Sequence, residues 1–255
     1  MTQPPGTAPD PPRIALPDPS ESYGQDAEWC LVEAEDGWSE VRFHDYDRIY
    51  RIPGLYERLF YDILRCCSPR VVCGMLRAEL DRAGVDPSTL RVLDLGAGNG
   101  IVGAELRSAG VSRIVGVDII PEAREAALRD RPDVYEDYHV VDMTGATPAL
   151  HARLAAHRFT GLTCVAALGF GDIPPEAFRV AFNHVADGGW IAFTIKDGFL
   201  GDEDISGFSG LIKLAMASGH LEVLATETYQ HRISTSGDPL HYRSIIGRKR
   251  SALPT

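Results

Sequence analysis

The run Val92-Leu-Asp-Leu-Gly96-Ala-Gly98-Asn-Gly100 constrains the fold of this chain more than any other stretch. A short apolar strand leads straight into three glycines at alternate positions. The residues that follow, Ile101 to Ala109, carry a helical pattern that stops at Gly110. A strand that turns through glycines into a helix is the opening of a βαβ unit. The glycines let the backbone bend sharply and let a ligand approach the main chain without meeting a Cβ. The helix beyond them presents unpaired N–H groups and the positive end of its dipole. Asp118 ends the next strand, 18 residues after Gly100. A carboxylate so placed can accept hydrogen bonds from both hydroxyls of a ribose, so the expected ligand contains adenosine.

Alternation of strand and helix continues from there. Arg113 to Asp118, Tyr138 to Asp142, Leu162 to Leu168 and Trp190 to Ile195 read as strands, with helices opening at Pro121 and Pro174-Pro175 and another over about Ser209 to Ser218. This order predicts a parallel sheet covered by helices on both faces. The tail departs from it. Leu221 to His231 and His241 to Gly247 flank Ser236-Gly237-Asp238-Pro239 and read as an antiparallel pair.

Ahead of the glycine run, residues 1–20 hold seven prolines and are expected to be a disordered leader. Residues 21–85 are expected to form a helical, aromatic extension that caps the site. Leu55, Leu59, Ile63 and Cys66 give one helical face, which Val72, Leu76 and Leu80 continue after a break at Pro69. Residues 86–250 then form the ligand-binding domain. The formal net charge of -11 argues against a nucleic-acid partner. No window resembles a signal peptide or a membrane span. The five cysteines form no framework, which suits reduced thiols in the cytoplasm.

Two adenosine-bearing ligands compete for the glycine run. Gly98-Asn-Gly100-Ile-Val-Gly103 also fits the dinucleotide pattern of an NAD(P)-dependent oxidoreductase. That register starts two residues late, however, because the first turn after Leu95 is centred on Gly96. Asp94, just inside the strand, is a carboxylate that a nicotinamide enzyme does not use. On Asp94, Gly96, Gly98, Gly100 and Asp118, over roughly residues 88–248, the chain resembles the class I S-adenosylmethionine (SAM)-dependent methyltransferase superfamily. The resemblance implies a Rossmann-like α/β fold, with a mostly parallel seven-stranded sheet whose last strand is antiparallel. It implies SAM as cofactor and S-adenosylhomocysteine (SAH) as product. Asp94, Gly96, Ala97, Gly98, Asn99 and Gly100 match the first motif, Asp118 and Ile119 the ribose site, and Asp142 and Met143 the adenine site. Leu168-Gly-Phe-Gly-Asp172 ends the fourth strand, where methyl group and acceptor meet.

The acceptor is less constrained. The fourth strand lacks the Asn/Asp-Pro-Pro-aromatic run of enzymes that methylate adenine or glutamine amides, and no acidic cluster predicts a metal. A small molecule, such as a secondary metabolite, methylated on O, N or C is therefore expected; a homodimer is compatible with the sequence. A base is needed only where the acceptor must lose a proton. Asp172 and His241 are the catalytic candidates, although Asp172 has an equal case as the cap of the helix at Pro174. Tyr46, Tyr50, Phe170 and Tyr242 are candidates for holding the acceptor, with Tyr56 joining Tyr46 and Tyr50 in a lid. A non-catalytic SAM-binding interaction module is the alternative outside enzymology.

Overall fold

A computed structural model describes residues 11–254 apart from 22, 35, 169–171 and 197–206. Its main sheet contains β4 (Arg91–Leu95), β5 (Arg113–Asp118), β6 (Asp137–Val140), β7 (Gly161–Leu168), β8 (Trp190–Lys196), β9 (Leu221–Ile233) and β10 (Pro239–Lys249). The strand order is β6-β5-β4-β7-β8-β10-β9. The first five strands are parallel, and β10 runs antiparallel to both β8 and β9.

The five parallel strands are apolar runs because both faces of the sheet are covered. Along β8, Trp190 and Ala192 pack on one face with α3 (Ser68–Arg82) and α4 (Ile101–Ser108). Ile191, Phe193 and Ile195 pack on the other with α7 (Pro175–His184) and α8 (Phe208–Ala217). Side chains alternate along β4 and β5 in the same way, with Val92 and Ile114 on the first face and Leu93, Leu95, Val115 and Val117 on the second.

The extension departs from expectation. It is not simply helical, but carries a three-stranded antiparallel sheet of β1 (Ile14–Ala15), β2 (Trp29–Ala34) and β3 (Gly37–Arg42). The proline-rich stretch expected to be a leader thus supplies a strand at Ile14–Ala15, which pairs with Val32 and Leu31. Residues 1–10 lie outside the described residues. Cys30, Val32 and Val41 from this sheet, with Phe43 just after it, meet Ile49 of α1 (Tyr46–Arg51), Leu55 of α2 (Leu55–Glu57), and Leu59, Phe60 and Leu64 in a separate core.

A π-helical turn over Arg58–Ile63 follows α2, and Arg65 adopts a positive φ of 60°. Pro69 therefore opens a new helix, α3, in whose first turn its missing N–H costs nothing. A buried ion pair fastens the extension to the main sheet: Arg232 of β9 donates to Glu28, and both side chains are almost wholly out of solvent.

Candidate active site

The chain order reverses between β4 and β7, the point at which open α/β sheets bind ligands beyond their strand C-termini. A cavity of about 370 Å³ lies there. Leu95 and Gly96 at the end of β4, Val117 to Ile120 at the end of β5, Val141 to Met143 after β6 and Val165 to Ala167 of β7 supply one wall. His44, Tyr46, Tyr50 and Tyr56 of the extension close the other.

Local backbone shape makes the room. Gly96 has φ +70°, and a Cβ on it would sit 2.9 Å from both the Ala167 Cβ and the Ile173 Cδ1. Gly98 has φ +53°, and its Cβ would sit 2.5 Å from the Tyr50 hydroxyl. Only glycine suits both the conformation and the contact. Opposite them, β7 slips register between Cys164 and Leu168, and Ala166 holds a positive φ of 56° while its N–H donates to the Thr194 hydroxyl. An L-residue in that conformation stores strain, and such strain collects at functional sites. It turns Ala166 and Ala167 into the cavity wall.

The carboxylates take distinct positions. Asp118 lines the cavity and accepts N–H bonds from Gly98 at 2.9 Å and Ile120 at 3.2 Å. Burial raises its pKa, opposed by those amides. Asp142 also lines the cavity, and it caps the turn Met143–Gly145 by accepting from the Thr144 N–H and hydroxyl. Asp94 does not line the cavity. It is 1% exposed and accepts from the hydroxyls of Thr163 and Tyr135, each at 2.7 Å. Burial pushes its pKa up to about 6 despite both bonds.

Of the remaining residues expected at the cofactor, Gly96, Ile119 and Met143 line the cavity. Ala97, Gly98, Asn99 and Gly100 form the bend behind it. The buried Asn99 side chain donates to Glu57, tying the bend to the extension. Leu168 lines a second, inner cavity of about 40 Å³. Tyr242 lines it too, whereas His241 is exposed, because neighbouring residues of a strand point to opposite faces. His241 is thus misplaced as a catalytic candidate. Phe170 lies outside the described residues.

Asp172 does not cap its helix. Pro174 holds the cap position, and no side chain bonds there. The Asp172 carboxylate instead faces His44, whose Nδ1 lies 3.3 and 3.2 Å from its two oxygens, and both residues line both cavities. Asp172 and the Gln25 main chain raise the His44 pKa, against burial and Arg232. Sequence reasoning missed His44, 128 residues from its partner; its place two residues before the first lid tyrosine was the one available sign. Tyr46, Tyr50 and Tyr56 form a continuous aromatic contact, with ring centroids 6.1 and 5.1 Å apart. Asp137, His139 and His157 bring possible metal-ligand atoms within 4.8 Å of one another, a cluster that sequence reading did not find, but none of them lines either cavity.

The seven-stranded, mostly parallel sheet with its antiparallel strand, flanked by helices, matches a Rossmann-like methyltransferase fold. The profile of a methyltransferase domain matches residues 70–232. The chain belongs to that family and is a SAM-dependent methyltransferase. No curated protein matches it.

Among solved structures, the chain is similar to the N-methyltransferase NodS of Bradyrhizobium japonicum in complex with SAH, at 13% identity and a TM-score of 0.54, covering 81% of this chain and 97% of that one. It is similar to a putative RNA methyltransferase of Pyrococcus horikoshii at 14% identity and a TM-score of 0.53, covering 72% and 87%. A SAM-dependent methyltransferase of Clostridium acetobutylicum gives 12% identity and a TM-score of 0.51, covering 82% and 100%. At these identities the shared property is the fold.

Proposed function

We propose that this enzyme methylates a small, uncharged organic molecule, with SAM lying along the C-terminal edge of the sheet and the acceptor meeting it from the inner cavity. The charge of the lining carries the reading. Asp47, Asp118, Asp142 and Asp172 line the main cavity, and its described lining includes no lysine or arginine. Asp118 and Asp172 are half-buried, where charges interact several times more strongly than in water, while Asp142 is exposed and Asp47 is paired with Arg51. The cavity therefore attracts a sulfonium and an ammonium and repels phosphates, whether of a nucleic acid or of a dinucleotide.

The donor set fits SAM. Asp118 uses two of about four lone-pair sites on the amides of Gly98 in the glycine bend and Ile120 in its own loop, leaving the others for ribose hydroxyls. Ile119, Asp142 and Met143 stand where they can flank the adenine. Asp94 steadies the glycine bend from behind, since the Tyr135 hydroxyl that it holds also lies 3.3 Å from the Ala97 carbonyl. SAM supplies an electrophilic methyl group, and much of the rate comes from holding an acceptor in line with it at about 3 Å. Tyr46, Tyr50 and Tyr56 exclude water from that line. The free thiols of Cys30, Cys66, Cys67, Cys73 and Cys164 support a cytoplasmic setting.

Incubating the enzyme with tritium-labelled SAM and fractionated cell extract tests the reading. Label should appear in the fraction that passes a membrane retaining macromolecules. Label in RNA or protein instead would overturn it. The cofactor arm is calorimetric: Asp118→Ala should weaken SAH binding about ten- to a hundredfold, the loss expected for charge-assisted hydrogen bonds.

A further inference from the structure

The passage between the two cavities is held by a pair of residues that comes from two parts of the chain. We propose that His44 and Asp172 form one proton-accepting unit at the point of methyl transfer, and that the acceptor it serves is a neutral, planar molecule methylated on a phenol-type hydroxyl. This rests on the small-molecule reading above.

The pair is built for contact with both ligands. His44 follows β3 in the extension and Asp172 follows β7, so their meeting joins the lid to the cofactor domain. Both are part-exposed to the cavities, at 20% and 27% of their side chains. The Asp172 carboxylate has about four lone-pair sites, which one ring nitrogen cannot fill, so an acceptor hydroxyl can bond to it as well.

The inner cavity sets the acceptor's shape. Phe43, Tyr46, Tyr56, Phe60 and Tyr242 wall it, and the His231 ring stacks on Tyr242 with centroids 4.0 Å apart. Flat walls of this kind suit a flat guest. Its volume of about 40 Å³ equals room for about three waters, so it takes only the reacting edge of a ring.

Chemistry then selects the pair by elimination. The other titratable groups around the inner cavity cannot take a proton near neutral pH. Burial holds His231 neutral, with its pKa lowered to about 3. The thiol of Cys66 is pushed up to about 11 by burial and so already carries its proton, and burial likewise raises Tyr46, Tyr56 and Tyr242. Arg232 is engaged with Glu28.

In the step, the acceptor oxygen forms its bond to the methyl carbon while the carbon–sulfur bond breaks and leaves its electron pair on sulfur. The hydroxyl proton passes by way of the Asp172 carboxylate, to which the hydroxyl is bonded, onto the His44 ring nitrogen that faces it, and then to solvent.

The pH dependence follows in sign. Asp172 and the Gln25 main chain favour the charged ring. Burial and Arg232 oppose them, Asp118 adds negative charge across the cavity, and Tyr46 and Tyr242 stay neutral. The balance lies above the ordinary histidine value of 6.5, and the pair accepts a proton only after the ring has lost its own. Turnover therefore rises with pH through an ionisation above 6.5.

The test uses the full chain, tritium-labelled SAM and a panel of phenol, catechol and guaiacol, beside SAH calorimetry and histidine-ring NMR. The expected product is the methyl ether. His44→Asn and Asp172→Asn should each lower kcat about a hundredfold, the usual worth of a positioned base, and remove the ascending pH limb. Both should still bind SAH, and Asp172→Asn should move the His44 titration to lower pH. The proposal is overturned if the wild type binds SAH and methylates none of the phenols, or if the variants keep the pH limb. Failure of the wild type to bind SAH would bring down the cofactor assignment first, and this proposal with it.

Discussion

Replacing Glu28 by alanine should destabilise the junction between the extension and the main sheet. Glu28 is 0% and Arg232 3% exposed, and the carboxylate also accepts the Thr235 N–H at 2.6 Å. Alanine leaves a guanidinium buried without its counter-charge, which costs about 3–5 kcal/mol. It also orphans an amide, worth about 1–3 kcal/mol. Entry of water offsets part of this, so a net loss of about 4 kcal/mol is expected, or on the order of 10 °C in melting temperature for a chain of this size. Urea unfolding followed by tryptophan emission is a suitable assay, because Trp29 and Trp38 lie in the small sheet and Trp190 in the large one. The double variant Glu28→Met with Arg232→Met should recover at least half of the loss, since replacing both members of a buried pair is often neutral. A single variant that loses less than about 1 kcal/mol, the worth of an exposed pair, would refute the burial argument.

Two further outcomes follow from the glycine bend and its support. Asp94→Asn should become progressively more stable relative to wild type as pH rises. A carboxyl raised from 3.8 to about 6 stabilises the fold while protonated, and that contribution is lost as pH climbs through 6. The difference between the two proteins should shift by up to about 3 kcal/mol between pH 4 and pH 7, measured by chemical denaturation at each pH; a flat difference would contradict it. Gly98→Ala should lose about 1–2 kcal/mol, the cost of a side chain in left-handed backbone. It should also weaken SAH binding by displacing Tyr50, whose hydroxyl occupies the space of the new methyl; unchanged affinity would show that the lid contact is unimportant.

What could be read from the sequence depended on whether a residue's role is local. The parallel strands were legible because burial on both faces makes them continuous apolar runs, as in Trp190 to Ile195. The bend was legible because left-handed backbone at Gly96, Gly98 and Gly100 selects glycine. The small sheet was missed although Asp36-Gly37 is a hairpin signal and Cys30 and Val32 alternate inward with half-buried neighbours; aromatic residues on its outer face masked the period. Tyr242 and His241 were assigned together, although adjacent residues of one strand cannot share a face. Asp94 was legible as a motif residue but not as a buried strut, because spacing does not tell which way a side chain turns. The His44–Asp172 contact has no local signature at all, since the packing of the extension alone creates it.

That last contact explains why the extension matters more than its position before the domain suggests. A bare switch point would hold the cofactor in an open groove, where water competes for the methyl group and solvent weakens each charge. Here Tyr50 sits on Gly98, Asn99 is bonded to Glu57, and Glu28 grips Arg232, so the extension is tied at the bend, at α2 and at the β9–β10 hairpin. Each tie crosses from the extension to the cofactor domain, and Tyr50 and Arg232 also line a cavity. The consequence is energetic as well as steric. With SAM in the proposed position, the half-buried Asp118 and Asp172 would act on its sulfonium more strongly than charges in open water do. They lose that attraction once the methyl has left and the sulfur is neutral. On that placement the charges that draw SAM in also favour release of SAH.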